Sequence, residues 1–175
     1  QHDREMALAL FNNGTRPLLV TTDLAARGLD ISDVRNIIHY HQPLTTESYT
    51  HRNGRTARVD ATGDAFVLVG PDEDVKDFIE FDDTRYLGDA DNGRIPRSDT
   101  STIYISAGRK EKISRGDVVG FLTNQGKLPS DAIGKIDLFD HFTLVAVKRD
   151  VTAKALENIS GQKIKGKKPR FSLIK

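Results

Sequence analysis

The sequence contains no cysteine and no tryptophan, and it has only one methionine. Without cysteine the chain forms neither disulfides nor thiolate metal sites, which excludes a small disulfide-stabilised scaffold and a cysteine-type zinc module. No apolar run approaches the roughly 18 residues that a membrane-spanning helix needs. The first residues lack the pattern of a signal peptide. We therefore expect a cytoplasmic protein without a membrane partner.

Charge is distributed unevenly along the 175 residues. Residues 1–83 carry 8 Lys and Arg against 15 Asp and Glu, a net charge of −7. Residues 102–175 carry 15 against 7, a net charge of +8. This asymmetry predicts that the second half binds a polyanion such as nucleic acid, with a merely solvated basic surface as the alternative. Gln1 lies within a predicted helix, which favours a piece of a longer protein.

The first half of the sequence has the pattern of a parallel α/β sheet, and we predict one domain over residues 1–83. A helix is predicted over residues 2–11, where an Asn-Asn-Gly sequence ends the helical spacing. An acidic helix is predicted over residues 72–82. Short apolar runs, typical of strands covered on both faces, occupy residues 17–20, 34–40 and 65–69.

The second half has a different pattern. Residues 84–101 lose periodicity and are rich in Gly, Asp and Ser, which predicts a linker. A second domain is predicted over residues 102–175, with elements in the order β-α-β-β-α-β, the split βαβ pattern of an α+β fold. The predicted elements are a strand at 102–106, a helix at 114–124, two strands within 133–147, a helix at 152–159 and a strand at 171–174. Ser114 and Asp117 predict a capping box at the first of these helices.

The sequence TTDLAARGLD at residues 21–30 directly follows a predicted strand. Ligands of parallel sheets bind at this carboxyl edge, where small residues leave backbone amides free. Thr22 is expected to offer its hydroxyl to a phosphate oxygen, the Arg27-Gly28 turn its amides, and Asp30 to accept hydrogen bonds from a ribose. From these residues alone, an ordinary connection between a strand and a helix is an equal alternative.

The sequence HRNGRTAR at residues 51–58 holds three arginines spaced three apart. On a helical turn, Arg52, Arg55 and Arg58 would line one face beside His51. Such a cluster repels itself unless a polyanion neutralises it, and guanidinium groups match the oxygens of a transferring phosphoryl group. An arginine delivered to a triphosphate from a separate lobe acts as an arginine finger. This motif therefore predicts a triphosphate site.

The segments TTDLAARGLD and YTHRNGRTAR resemble the fifth and sixth motifs of the DEAD-box RNA helicases, and the first four residues, QHDR, match that family's Q-x-x-R element. The resemblance implies part of the second RecA-like lobe of an ATP-dependent RNA helicase. It implies contacts of Gln1, Arg4, Thr22 and Arg27 with the RNA backbone, of Gly28 and Asp30 with ATP, of the catalytic Arg55 and Arg58 with its γ-phosphate, and of the catalytic His51 with the partner lobe. Asn53 departs from the family's aliphatic residue.

Residues 102–175 are similar throughout to the DbpA-type RNA-binding domain of the same family. The similarity implies a variant RNA-recognition fold that tethers a helicase to a hairpin of large-subunit ribosomal RNA. Independently, residues 161–175 are basic, lack acids and contain two glycines, which predicts phosphate contacts, with a solubilising tail as the alternative. The expected RNA-binding residues here are Lys163, Lys165, Lys167, Lys168 and Arg170, joined by Lys110 and Lys112 in a basic loop. Base stacking on Tyr104 and Phe142 is only weakly predicted.

The chain lacks a G-K-[ST] phosphate loop and an Asp-Glu-Ala-Asp sequence. We therefore expect ATP to be the cofactor of a longer protein, with Mg²⁺ held mainly by a missing N-terminal RecA-like lobe, and this fragment alone to be inactive. The leading hypothesis is a helicase that remodels ribosomal RNA during ribosome assembly. A broad-specificity cold-shock helicase and a non-enzymatic RNA-binding adaptor or chaperone are the alternatives. His39 and His41 are interpreted as packing or surface residues, and no metal site is predicted.

Overall fold

The computed structural model describes residues 2–23, 31, 34–56, 63–88, 93 and 96–174. The chain forms two compact units. One unit comprises residues 20–93, and the other combines residues 1–19 with residues 94–175. The sequence does not predict that the first residues join the second unit. The domain boundaries at residues 83 and 102 stay a prediction.

The unit of residues 20–93 contains a small parallel sheet. Strand β1 (Asn36–His39) pairs with strand β2 (Asp64–Val67), and helix α2 (Thr46–Asn53) lies between them in the chain. Ile37 lies opposite Ala65 in the parallel register. The predicted parallel strands at residues 34–40 and 65–69 are therefore confirmed, and the α/β class of this half with them.

Two other predictions for the first half are wrong. Residues 17–20 have no strand partner in the part of the chain that the structure describes, and Val20 is 87% exposed. Residues 72–82 form irregular backbone with short turns instead of an acidic helix. The backbone groups that a helix would use internally are bonded elsewhere, because the Lys76 N–H donates to Gln42 Oε1 and the Asp74 carbonyl accepts from Gln42 Nε2. Six acidic residues in eleven also repel one another along a helix.

The second unit contains the predicted β-α-β-β-α-β succession, which confirms its α+β class. Its strands are β3 (Thr100–Ile105), β4 (Ile133–Leu138), β5 (Thr143–Lys148) and β6 (Phe171–Ile174), and its helices are α3 (Arg115–Asn124) and α4 (Arg149–Ile159). Short 3₁₀ helices occupy Arg109–Glu111 and Ser130–Ala132. The sheet order is β4-β5-β3-β6, and every neighbouring pair is antiparallel.

Alternation along β3 and β5 gives this sheet its core face. Ile103, Ile105, Val145 and Val147 are 0 to 1% exposed and join a cluster with apolar residues of α3 and α4. Full burial of such a side chain contributes about 1.5–3 kcal/mol each. The predicted capping box at the start of α3 is confirmed, since the Asp117 N–H donates to Ser114 Oγ and the Ser114 N–H to Asp117 Oδ2.

Helix α1 (His2–Asn12) covers the opposite face of the same sheet. It ends as predicted, because Gly14 has a φ of +78° and its N–H donates to the Phe11 carbonyl. Ala9 packs with Phe142 and Leu144 in a second, smaller apolar cluster. Within the described ranges, no helix combines the length and apolar character needed to cross a membrane.

Candidate nucleotide and nucleic-acid sites

The basic segment of residues 161–170 folds back on itself rather than trailing into solvent. Ile164 and Lys167 exchange two backbone hydrogen bonds of 2.9 Å. Lys165 and Gly166 between them have φ values of 48° and 76°, the two left-handed conformations of a type I′ turn. Because Ile164 is only 2% exposed, the turn is anchored to the core. The turn is therefore a folded part of the domain, and phosphate contacts by its lysines stay a prediction.

Lys165 connects this turn to the other predicted basic loop. Its Nζ donates to the Lys112 carbonyl at 3.0 Å and to Asp117 Oδ2 at 3.1 Å. The hydroxyl and the N–H of Ser114 donate to the same carboxylate oxygen, and together with Lys165 they lower the Asp117 pKa to about 2. The ammonium of Lys165 is thus paired within the protein, while the turn and the loop are held side by side.

The loop around residue 110 is fixed by its own contacts. The Gly108 N–H donates to Glu111 Oε2 at 2.7 Å, and this bond is the main cause that lowers the Glu111 pKa. The Arg109 N–H donates to the Phe139 carbonyl at 2.9 Å. A Cβ on Gly108 would lie 2.1 Å from that same carbonyl oxygen, so only glycine fits there. The loop therefore presents its cations from a defined backbone.

The exposed cations of the two segments form what we call the basic junction. Its members are Lys110, Lys112, Lys163, Lys167 and Lys168, all of which are exposed. Arg170, also exposed, continues from the turn toward β6 and donates its N–H to Ser106 Oγ at 2.7 Å. Sequence reasoning offered the loop and the turn as separate RNA contacts, and the structure brings them together. Asp117 as their link was missed, because its pairing with a residue 48 positions away leaves no pattern in the sequence.

In the unit of residues 20–93, helix α2 contains the first three residues of the arginine motif, His51, Arg52 and Asn53. Thr45 caps the helix, with its Oγ1 accepting the Ser48 N–H at 3.2 Å. Arg52 turns inward, and its Nε and Nη2 donate to the two carboxylate oxygens of Asp23 at 2.5 and 2.8 Å. The expectation that three arginines share one ligand-facing side is therefore wrong for Arg52. The guanidinium of Arg52 instead connects Asp23, in the segment of residues 21–30, to the arginine motif of residues 51–58.

His39 explains the unusual Asn53. The imidazole is 1% exposed, its Nε2 lies 2.8 Å from Asn53 Oδ1, and its Nδ1 lies 3.3 Å from Arg52 Nη1. A guanidinium only donates, so Nδ1 accepts and Nε2 carries the proton that Asn53 accepts. Burial lowers the His39 pKa, consistent with this neutral form. The interpretation of His39 as a packing residue is confirmed. The described residues contain no group of three or more potential metal ligands.

Two family models match the chain, one in each half. The helicase conserved C-terminal domain matches residues 1–60, and the DbpA RNA binding domain matches residues 102–173. The chain belongs to the DEAD-box RNA helicase family. The first half is a partial RecA-like lobe, and the second half is the family's α+β RNA-binding domain.

Individual DEAD-box relatives agree with this assignment. The chain is 36% identical to the ATP-dependent RNA helicase DbpA of Escherichia coli over its whole length, which is 40% of that protein. It is 29% identical to the DbpA of Bacillus subtilis over 95% of the chain and 41% of that protein. The ATP-dependent RNA helicase mak5 of Sclerotinia sclerotiorum is 56% identical over 61 residues, 35% of the chain and 8% of that protein. The chain thus spans about two-fifths of the length of the two bacterial relatives.

The contacts implied by the DEAD-box family are only partly within the described residues. Arg55 is half-buried just after α2, where its backbone N–H donates to the Arg52 carbonyl. His51 is half-exposed and lies 3.7 Å from Glu47. Thr22 is exposed in the same unit, whereas Arg4 is exposed in the other unit. The expected contacts Gln1, Arg27, Gly28, Asp30 and Arg58 lie outside the described residues. The guanidinium of Arg55, just after α2, and the imidazole of His51, on α2, have the donor chemistry that a triphosphate requires.

Proposed function

We propose that the chain supplies the RNA-binding domain and part of the second lobe of an ATP-dependent RNA helicase. The helicase binds a hairpin of large-subunit ribosomal RNA in the cytoplasm and remodels RNA during ribosome assembly. The observation that carries this proposal is the contact of Lys165 with Lys112 and Asp117, which assembles the basic junction from two distant segments. The similarity of residues 102–173 to the DbpA RNA binding domain supports RNA as the ligand.

The basic junction has the properties that binding to structured RNA requires. Its five lysines are exposed, so their charges reach phosphates without a burial cost. Each phosphate neutralised by such a lysine releases counterions, which gives affinity that falls steeply with salt. Two segments held side by side also present their cations in a defined arrangement, and this favours one shape of RNA over another. A rigid hairpin is a better match than a flexible single strand.

The nucleotide side of the proposal depends on Arg55, Arg58 and His51. ATP, when bound with Mg²⁺ held mainly by the other lobe, supplies the triphosphate that is hydrolysed. In this chain, the pairing of Arg52 with Asp23 fixes the end of α2, and Arg55 follows that end directly. Arg55 and Arg58 then stabilise charge on the γ-phosphate, and Asp30 holds the ribose. Gln1, Arg4, Thr22 and Arg27 contact the RNA backbone, and Gly28 lets the nucleotide approach.

A filter-binding titration tests the RNA part. The whole chain with Lys163, Lys167 and Lys168 changed to Gln is compared with a control chain in which Lys127, Lys135 and Lys154 are changed instead. All six lysines are exposed, so both variants lose the same charge. The first variant should lose most of its affinity for a ribosomal hairpin, and the slope of log affinity against log salt should flatten by about 2 to 3. The control should keep most of the affinity.

The same titration distinguishes the alternatives. An unrelated hairpin of equal length should bind more weakly to the unmodified chain if the domain is a ribosomal specialist. Equal affinity for both hairpins would favour a broad-specificity helicase. Equal losses in the two lysine variants would contradict the basic junction as the RNA site. RNA-stimulated ATP turnover by a protein that also carries the other lobe would exclude the adaptor alternative, and its absence would contradict the helicase proposal.

A further inference from the structure

Helix α1 occupies a sheet face that has the chemistry of an RNA-binding platform. Tyr104 on β3 stacks on Phe142 just before β5, with ring centroids 5.6 Å apart and an interplanar angle of 19°. Phe139 also stacks on Phe142, with ring centroids 4.4 Å apart and an interplanar angle of 15°. β3 and β5 are the two central strands of the sheet. Aromatic side chains at the central strands are the groups on which RNA-recognition folds stack bases.

The helix covers this aromatic cluster. Ala9 of α1 is 7% exposed, and it packs with Phe142 and Leu144, which are 8% and 0% exposed. Met6 packs against the same cluster, and the imidazole of His2 meets the ring of Phe142 edge-on at 5.2 Å. RNA bases therefore cannot stack on Phe142 while the helix is in place.

Polar contacts give the docked helix a defined register. Asn13 Nδ2 donates to Thr102 Oγ1 at 3.0 Å, and the hydroxyls of Thr15 and Thr102 are 2.7 Å apart. Asn13 Oδ1 also accepts the Thr15 N–H. All three residues are buried, so each group would lose a hydrogen bond if the helix docked elsewhere. The contact is consequently a built interface rather than a nonspecific apolar collapse.

The docked helix is nevertheless small. Its buried residues are Ala9 and Leu10, and eleven residues are too few for a helix that is stable on its own in water. The same residues lie within residues 1–60, the stretch that matches the helicase domain rather than the RNA-binding domain. A short helix with few buried side chains and sequence features of another domain is suited to reversible docking.

We propose that α1 is an intramolecular competitor of single-stranded RNA for the face formed by Tyr104, Phe139 and Phe142. With α1 docked, the RNA-binding domain contacts RNA through the basic junction and not through these rings. When α1 leaves, the aromatic rings become available to stack unpaired bases. The inference rests on the proposed function only in that RNA is the ligand, because the rings of Tyr104, Phe139 and Phe142 are not members of the basic junction.

Two alanines of α1 provide a matched pair of variants. Ala9→Glu places a charge in the buried contact, whereas Ala7→Glu adds the same charge at an exposed position of the same helix. The probe is a ten-nucleotide oligouridine, measured by fluorescence anisotropy with the whole chain. Ala9→Glu should bind it at least about five-fold more tightly than Ala7→Glu, the equivalent of about one stacked base. The additional change Tyr104→Leu should remove that gain.

Circular dichroism and binding of the ribosomal hairpin serve as controls. A failure of hairpin binding in every variant would contradict the proposed function, whereas the competition is overturned if hairpin binding persists but Ala9→Glu gains no oligouridine affinity. If Ala9→Glu unfolds the chain, hydrogen exchange of the unmodified chain decides. Amides of α1 should then lose protection as oligouridine saturates. Protection that stays unchanged at saturation would overturn the proposal.

Discussion

The ammonium of Lys165 lies 3.1 Å from the carboxylate of Asp117, the residue that also closes the capping box of α3. One carboxylate therefore caps a helix and holds a basic turn beside a basic loop. Lys165 is a cation whose charge is used inside the protein, so its contribution to RNA binding differs from that of its exposed neighbours. This difference can be measured.

Replacing Lys165 should weaken RNA binding without removing a phosphate contact. In Lys165→Met the turn is no longer tied to Lys112, so hairpin affinity should fall while the salt slope stays close to that of the unmodified chain. In Lys163→Met the slope should flatten by about 0.7 to 0.9, since one phosphate contact is lost. Filter binding at several salt concentrations separates the two effects. A flatter slope in Lys165→Met would mean that this ammonium contacts RNA directly.

The Asp117 carboxyl should titrate with a pKa of about 2. Because the folded pKa is lowered, the stabilisation from its ionised form is complete above its usual value near 3.8 and is lost as pH falls toward 2. The hydrogen bond from the Ser114 side chain is the largest cause, so Ser114→Ala should raise the pKa more than Lys165→Met. Carboxyl chemical shifts followed during acid titration check this order, and the reverse order would contradict it.

Acid should destabilise the unit of residues 20–93 through His39. Burial lowers the folded pKa below the usual 6.5, so the neutral ring stabilises the unit fully above pH 6.5 and this contribution is lost as pH falls through the lowered pKa. His39→Gln should therefore flatten the decline of thermal stability between pH 7 and pH 5. His41→Gln, at an exposed position, is the control and should leave the decline unchanged.

The pairing of His39 with Asn53 should contribute measurably to stability. Asn53→Leu leaves the buried Nε2–H without its acceptor, which costs about 1–3 kcal/mol. Adding His39→Leu to Asn53→Leu should restore part of the lost stability, because both polar partners are then removed. A double-mutant cycle compares the two single variants with the double variant. Denaturant unfolding measures all four chains. Additive losses would show that the two side chains do not interact.

Arg52 and Arg55 should have separable effects in a protein with both lobes. Arg52→Ala removes the bidentate pair with Asp23, so it should lower thermal stability as well as ATP turnover. Arg55→Ala should lower turnover by about 10³-fold or more with ATP binding much less affected, since an arginine finger acts on developing charge. Steady-state turnover and nucleotide binding are measured together. Turnover within a few-fold of the unmodified protein would contradict the role of Arg55.

Local patterns predicted the elements that depend on local interactions. The capping residues Ser114 and Asp117, the helix stop at Gly14 and the β-alternation of residues 102–106 each act within a few positions. The failures involve distant partners. Residues 72–82 satisfy their backbone through Gln42, and α1 finds its place through Thr102, some 89 residues from Asn13. The basic segments were predicted by composition, but their junction depends on the contact between Lys165 and Asp117.

An amide chemical-shift titration of the whole chain with a ribosomal hairpin tests the central claim most directly. The account predicts that residues 109–112 and residues 163–168 shift together and saturate at the same RNA concentration, because they form one surface. The unrelated hairpin of equal length should shift them less at the same concentration. Shifts confined to one of these segments, or saturation of the two at different concentrations, would contradict a single RNA interface built around Lys165.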